Sequence, residues 1–123
     1  MGTMQVSLIV TSILLLLIFL SGIWLKRAGR PLNAGISAIH KLIGVAAGLF
    51  LILTLVRING VAPLNAGQWV AVAATAVCFA GTVATGGLLS ADKPATPLLT
   101  PLHRIIPALT VVAAAGLMYA LFW

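Results

Sequence analysis

The chain has 123 residues, 62% of them hydrophobic and 7% charged, with seven Lys and Arg against one acid and a formal charge of +6. An average soluble domain carries roughly a quarter charged residues, so a soluble enzyme of this composition would lack the polar surface to cover its core. A disordered chain would not be this apolar, and seven cations dispersed through it make no surface that tracks phosphates, which excludes nucleic acid as a partner. A single cysteine, Cys78, excludes an internal disulfide and a CxxC redox or zinc site. Inside its apolar run it reads as a small buried hydrophobe.

Four apolar stretches follow one another, at about 4–25, 33–56, 66–89 and 98–122. Each meets the roughly 20 residues a helix needs to cross a bilayer. The first has no Lys or Arg on its N-terminal flank, exceeds the core of a signal peptide and is followed by no small-x-small cleavage site, so a retained helix is expected. The connectors at 26–31, 57–60 and 90–94 are short, which makes neighbouring helices antiparallel. The expected fold is all-α: one domain over residues 1–123, a four-transmembrane-helix up-down bundle. Pro-Leu-Asn-Ala-Gly occurs twice, at 31–35 and 63–67, ahead of the second and third helices. Asn33 and Asn65 are natural N-caps there, and local capping outweighs an ancestral repeat as the reason.

Charge gives a sidedness. Lys26, Arg27, Arg30 and Lys93 fall in the first and third connectors, Lys41 and Arg104 lie just inside the helices that follow, and only Arg57 stands at the opposite face. Cations accumulate on the cytoplasmic side, which predicts an integral membrane protein of the bacterial inner membrane. Its first and third connectors would be cytoplasmic and both termini outside. Trp24 at one boundary and Trp69, Tyr119 and Trp123 at the other fit interfacial aromatic belts.

Ionisable groups inside a membrane span are costly and mark function by default. Here they form two matched pairs, His40-Lys41 in the second span and His103-Arg104 in the fourth. The two spans run in the same direction. His40 lies seven residues past Asn33 and His103 five past Leu98, so at about 1.5 Å per residue their depths differ by only a few Å. Two imidazoles at one level of a bundle core can supply both axial ligands of a haem iron. Small residues follow each ligand at helical spacing: Gly44, Ala47 and Gly48 after His40, and Pro107, Thr110 and Ala114 after His103. They leave room for a porphyrin edge, and Pro107 predicts a kink. Ser21-Gly22 and Thr85-Gly86-Gly87 lie near the same level on the first and third spans.

Lys41 and Arg104 follow their histidines into the apolar layer, yet Asp92 is the single acidic side chain. It cannot neutralise both. Two haem propionates at the cytoplasmic edge would meet them, with Lys93 or the first connector in reserve. Otherwise the cations snorkel to lipid headgroups.

The layout resembles the transmembrane b-type cytochromes, the cytochrome b561 and ferric-reductase-like superfamily. The local echo is Ile39-His40-Lys41-Leu42-Ile43 and Leu102-His103-Arg104-Ile105-Ile106. The resemblance implies haem b held between histidines of a four-helix core. With one histidine pair where a b561 protein has two, it implies a single haem near the inner face. A second echo, Ser37-Ala38-Ile39-His40-Lys41-Leu42-Ile43-Gly44, looks like the Ser-x-x-His-Arg-x-x-Gly stretch of the succinate dehydrogenase membrane anchor and implies a haem and quinone neighbourhood. The small multidrug transporters share the length and the helix plan, but they rely on a buried glutamate, and this chain has none.

These readings converge on a membrane electron-transfer protein rather than an enzyme with its own substrate site. His40 and His103 would be the iron ligands, and Lys41, Arg104, Gly44, Gly48, Gly86 and Pro107 would line the cofactor. Membrane lipid, a quinone, and a larger redox complex or a homodimer are the partners such a protein would take. Three other readings stand beside it. A membrane histidine can ligate the magnesium of a (bacterio)chlorophyll. The chain could be a non-catalytic assembly subunit of a larger complex. Interfacial histidines with Gly44 and Gly48 as a GxxxG packing face need no cofactor. No nucleophile–base constellation is present, since Ser and Thr occur without a carboxylate to orient a base.

Overall fold

A computed structural model describes residues 2–91 and 96–123. Asp92 and Lys93, the single acid and one of the topology cations, lie outside the described residues. The described chain is all-α: α1 Thr3–Arg27, α2 Ala34–Val61, α3 Ala66–Leu89 and α4 Leu99–Phe122. All four are long and apolar enough to cross a membrane, as the hydropathy pattern predicts. The helices form two compact units, Met1–Pro63 and Leu64–Trp123, each an antiparallel pair.

Helix ends follow local chemistry. α1 closes at Ala28, whose amide donates to the Trp24 carbonyl at 2.9 Å, and Gly29 then takes φ +77°. That left-handed conformation is cheap only for glycine. The Asn33 side chain accepts from the Ile36 amide at 3.0 Å. Asn65 accepts from the Gln68 amide at 2.9 Å while Gln68 Oε1 accepts from the Asn65 amide at 2.9 Å, a reciprocal capping box. Both copies of the pentapeptide therefore cap helices. The second helix runs five residues past the expected end at 56, through Arg57, Asn59 and Gly60 to Val61. Nothing in that stretch forbids helix, since one glycine costs only about 1 kcal/mol. The stop comes from Pro63, which forces the residue before it out of the helical region. Ala62 accordingly sits at φ −139°, ψ 113°.

In the first unit α1 and α2 run antiparallel, with Gly22 beside His40 and Gly44 beside Ile18. Its buried side chains are small or hydroxylic: Thr11, Ser21, Ser37 and Thr54, together with Gly44. In the second unit Gly86 lies beside His103 and Gly81 beside Ile106. At the far end Gln68 Nε2 donates to the Ala120 carbonyl at 2.8 Å, which ties the start of α3 to the end of α4. Trp69 and the stacked pair Tyr119 and Trp123, 6.2 Å between ring centroids, therefore share one end of this unit. α4 buries Thr110, Ala114, Leu117, Met118 and Leu121, one stripe at helical spacing.

Hydroxyls inside an apolar layer need internal partners. Thr75, Thr82, Thr85 and Thr110 each donate to the carbonyl four residues back, at 2.8, 3.0, 2.8 and 2.9 Å. Thr82 and Thr110 also lie 2.8 Å apart across the helix pair, where one hydroxyl turns its proton to the other in place of its own helix carbonyl. Cys78 is half-buried on α3.

Candidate functional site

His40 projects from the second turn of α2 and is half-buried. Its Nδ1 lies 2.9 Å from the hydroxyl of Ser21, a buried residue of α1. That hydroxyl also donates to the Ile18 carbonyl at 3.0 Å. The flat ring fits because the next residue on α1 is Gly22. A Cβ placed there would stand 3.1 Å from His40 Cε1, closer than a side chain tolerates without displacing the ring.

The second unit repeats this arrangement. His103, in the second turn of α4 and half-buried, has its Nδ1 2.8 Å from the hydroxyl of Thr85 on α3. Thr85 is buried and donates to the Gly81 carbonyl at 2.8 Å, with the Thr82 carbonyl at 3.1 Å. Gly86 supplies the clearance: a Cβ there would stand 2.9 Å from His103 Cε1. In both units a hydroxyl-glycine pair at the end of the first helix cradles a histidine at the start of the second. A cation follows each histidine, and Lys41 and Arg104 are both exposed.

The correspondence is visible in the numbering once the structure shows where to look. Ser21-Gly22 and Thr85-Gly86 are 64 positions apart, and His40-Lys41 and His103-Arg104 are 63 apart. Thr11 and Thr75, 64 apart, are both buried as well. Sequence reading placed Ser21, Gly22, Thr85 and Gly86 at the histidines' level as small residues. It did not find that the hydroxyls bind the rings. The pattern is too sparse to stand out, four matched positions in some twenty residues.

The remaining expected cofactor residues divide. Gly86 belongs to the cradle of His103. Gly44 is buried with its Cβ position 3.1 Å from Ile18 Cδ1, so its smallness serves the close approach of α1 and α2. Gly48 is half-buried on α2, and Pro107 is half-buried inside α4, which continues unbroken past it. Pro107 cannot donate to the carbonyl of His103 four residues back.

Among the described residues no three His, Cys, Asp or Glu side chains gather into a metal cluster. What the chain offers is one imidazole per helix pair. That donor set suits an axial position on a planar metallocofactor better than a tetrahedral zinc site, which needs three or four ligands. Comparison with protein-family models, curated proteins and solved structures finds no match.

Proposed function

We propose that this chain is a small integral-membrane cytochrome that binds one haem b through His40 and His103 and passes electrons between a quinol or protein partner and an acceptor. One observation carries the reading: the only two histidines are held the same way, each with a hydroxyl on Nδ1 and a glycine beneath the ring. A histidine that merely packed at a helix end would not need this arrangement twice. Haem b, held by His40 and His103, would supply one-electron chemistry.

The protein's own residues do the rest. Ser21 and Thr85 orient the rings, while Gly22 and Gly86 leave them space. Lys41 and Arg104 would supply the cations for two propionates, in a sequence with a single acidic side chain. The charge asymmetry supports a topology with the histidine ends of the helices toward the cytoplasm and both termini outside, as in a bacterial inner-membrane protein.

Reduced-minus-oxidised absorption spectra of the purified protein test the reading. The expected result is a Soret band with sharp α and β bands on reduction, lost in both His40→Ala and His103→Ala. A preparation with no Soret band, or one unchanged by either substitution, overturns it. A bound pigment absorbing in the near infrared would replace haem by a chlorophyll. Colourless protein that co-purifies with a larger complex would replace it by an assembly role.

A further inference from the structure

The two helix pairs correspond residue by residue around their histidines, but their connectors differ in charge. At the offset that matches Ser21 with Thr85, Lys26 and Arg27 fall on Ser90 and Ala91. At the offset that matches His40 with His103, Arg30 falls on Lys93. The first pair therefore has two adjacent cations that the second lacks. A cation near a helix C-terminus is favourable in itself, yet α2, α3 and α4 have no basic residue in the last turn, whereas α1 has both Lys26 and Arg27 there. Helix stability does not ask for them. Nor does the first unit hold a carboxylate side chain to meet them, since residues 1–63 contain no Asp or Glu.

The face of α1 that leads to these cations has a definite order. Leu16, Leu20 and Trp24 recur at helical spacing and Arg27 completes the row, all four exposed. Over about 16 Å of helix the row passes from aliphatic side chains to an indole and then to a guanidinium, with Lys26 beside it. A phospholipid presents the same order along its length: acyl chain, the interfacial layer where tryptophan settles, then phosphate. The planar fork of an arginine matches two phosphate oxygens at once, and a lysine adds a second charge. Arg30 follows the turn at Gly29 and is exposed as well.

We propose that this end of α1 is a binding site for an anionic phospholipid, with Arg27 and Lys26 on the headgroup phosphate, Trp24 at the interfacial layer, and Leu20 and Leu16 along an acyl chain. Charge complementarity selects the lipid. A zwitterionic headgroup brings its own ammonium to a cluster of cations, and an anionic one does not. The site involves neither haem nor the histidines, and it stands whichever side of the membrane the connector faces.

The test uses the full-length chain carrying Trp69→Phe and Trp123→Phe, which keeps only Trp24 of the three tryptophans, in vesicles of phosphatidylcholine and phosphatidylglycerol. Bromine on the acyl chains of one lipid or the other quenches an indole it touches, and the ratio between the two lipids cancels any quenching by a bound pigment. At equal mole fraction, brominated phosphatidylglycerol is expected to quench Trp24 the more strongly. Each Lys or Arg at an anionic surface is worth about fivefold in binding, so Lys26→Gln with Arg27→Gln should lower the preference by up to about 25-fold. Undiminished quenching of that variant by brominated phosphatidylcholine reports that it is still inserted. A companion chain with Trp24→Phe and Trp123→Phe reads the start of α3 through Trp69 and should show no preference.

Equal quenching of Trp24 by the two lipids overturns the assignment. So does an equal preference at Trp69, which would mean diffuse attraction to a basic protein, or a preference that survives the double substitution. Quenching by neither lipid overturns it by showing that protein covers this face. Loss of the preference on adding inorganic phosphate overturns it in favour of a free anion.

Discussion

Around the histidines the α1–α2 and α3–α4 pairs repeat one another, hydroxyl for hydroxyl and glycine for glycine, and away from the histidines they differ in what they bury. α4 buries Ala114, Leu117, Met118 and Leu121, whereas no large hydrophobic side chain of α1 or α2 is buried. The first pair instead buries Thr11, Ser21, Ser37, Thr54 and Gly44. Of the apolar stretch in α4, 28% is buried, against 11% in each of the other three helices. Both styles are stable solutions in a membrane, where lipid tails are as apolar as leucine and close approach through small residues substitutes for a hydrophobic core. The comparison shows that the cradle does not depend on one mode of helix packing. What is common to the two pairs is the set of contacts that orients an imidazole.

That contrast can be broken by substitution. The largest expected effect is at Leu117, which is fully buried. Leu117→Ala should destabilise the second pair by about 2–5 kcal/mol, as large-to-small core changes do. Ile52→Ala in the first pair, where the side chain is exposed, should fall within about 0.5 kcal/mol of wild type. Reversible unfolding in mixed micelles measures both. Equal losses would mean that the two pairs are not packed differently after all.

Next come the glycines. Gly86→Ala places a Cβ 2.9 Å from His103 Cε1, and Gly22→Ala places one 3.1 Å from His40 Cε1. Overpacking of this kind costs about 1–3 kcal/mol, and the tighter site should suffer more. If the proposed haem is bound, its retention during detergent titration should weaken in both variants, with Gly86→Ala releasing it first. Indifference at both sites would show that the rings are free to move.

The smallest effects separate two threonines. Thr11 Oγ1 is buried with no hydrogen-bond partner among the described residues, while its counterpart Thr75 donates to the Ala71 carbonyl. Thr11→Val should therefore be neutral or stabilising, by up to about 1 kcal/mol, because an unsatisfied hydroxyl is removed. Thr82→Val breaks the 2.8 Å contact with Thr110 and should cost about 0.6 kcal/mol, the usual scale of a hydrogen bond between helices in a membrane. The opposite signs are the test, read in the same unfolding assay.

Much of the fold was legible before any coordinates. The four apolar runs appear as α1 to α4, and Asn33 and Asn65 cap the helices they precede because their side-chain oxygens reach amides that the helix leaves unpaired. α2 ends five residues later than its hydropathy suggests, since Arg57, Asn59 and Gly60 read as a polar connector while the barrier to helix is Pro63. Of the candidate site, the histidines and their cations stood out as rare charges in an apolar chain. Their partners did not. Ser21 and Thr85 are unremarkable in composition, and the contact of Gly44 with Ile18 shows only once the helices are paired.

The sequence by itself, 62% hydrophobic with seven cations to one acid, determines a membrane protein with four apolar helices and two histidine-cation pairs within them. Those properties are set residue by residue, through transfer energy and helix length. Which face of each helix meets its neighbour was decided only in the tertiary structure. A helix that is apolar nearly all round carries no stripe to fix its rotation, so the pairing of Ser21 with His40 and of Thr85 with His103 comes from close packing at Gly22 and Gly86. Hydropathy cannot express that.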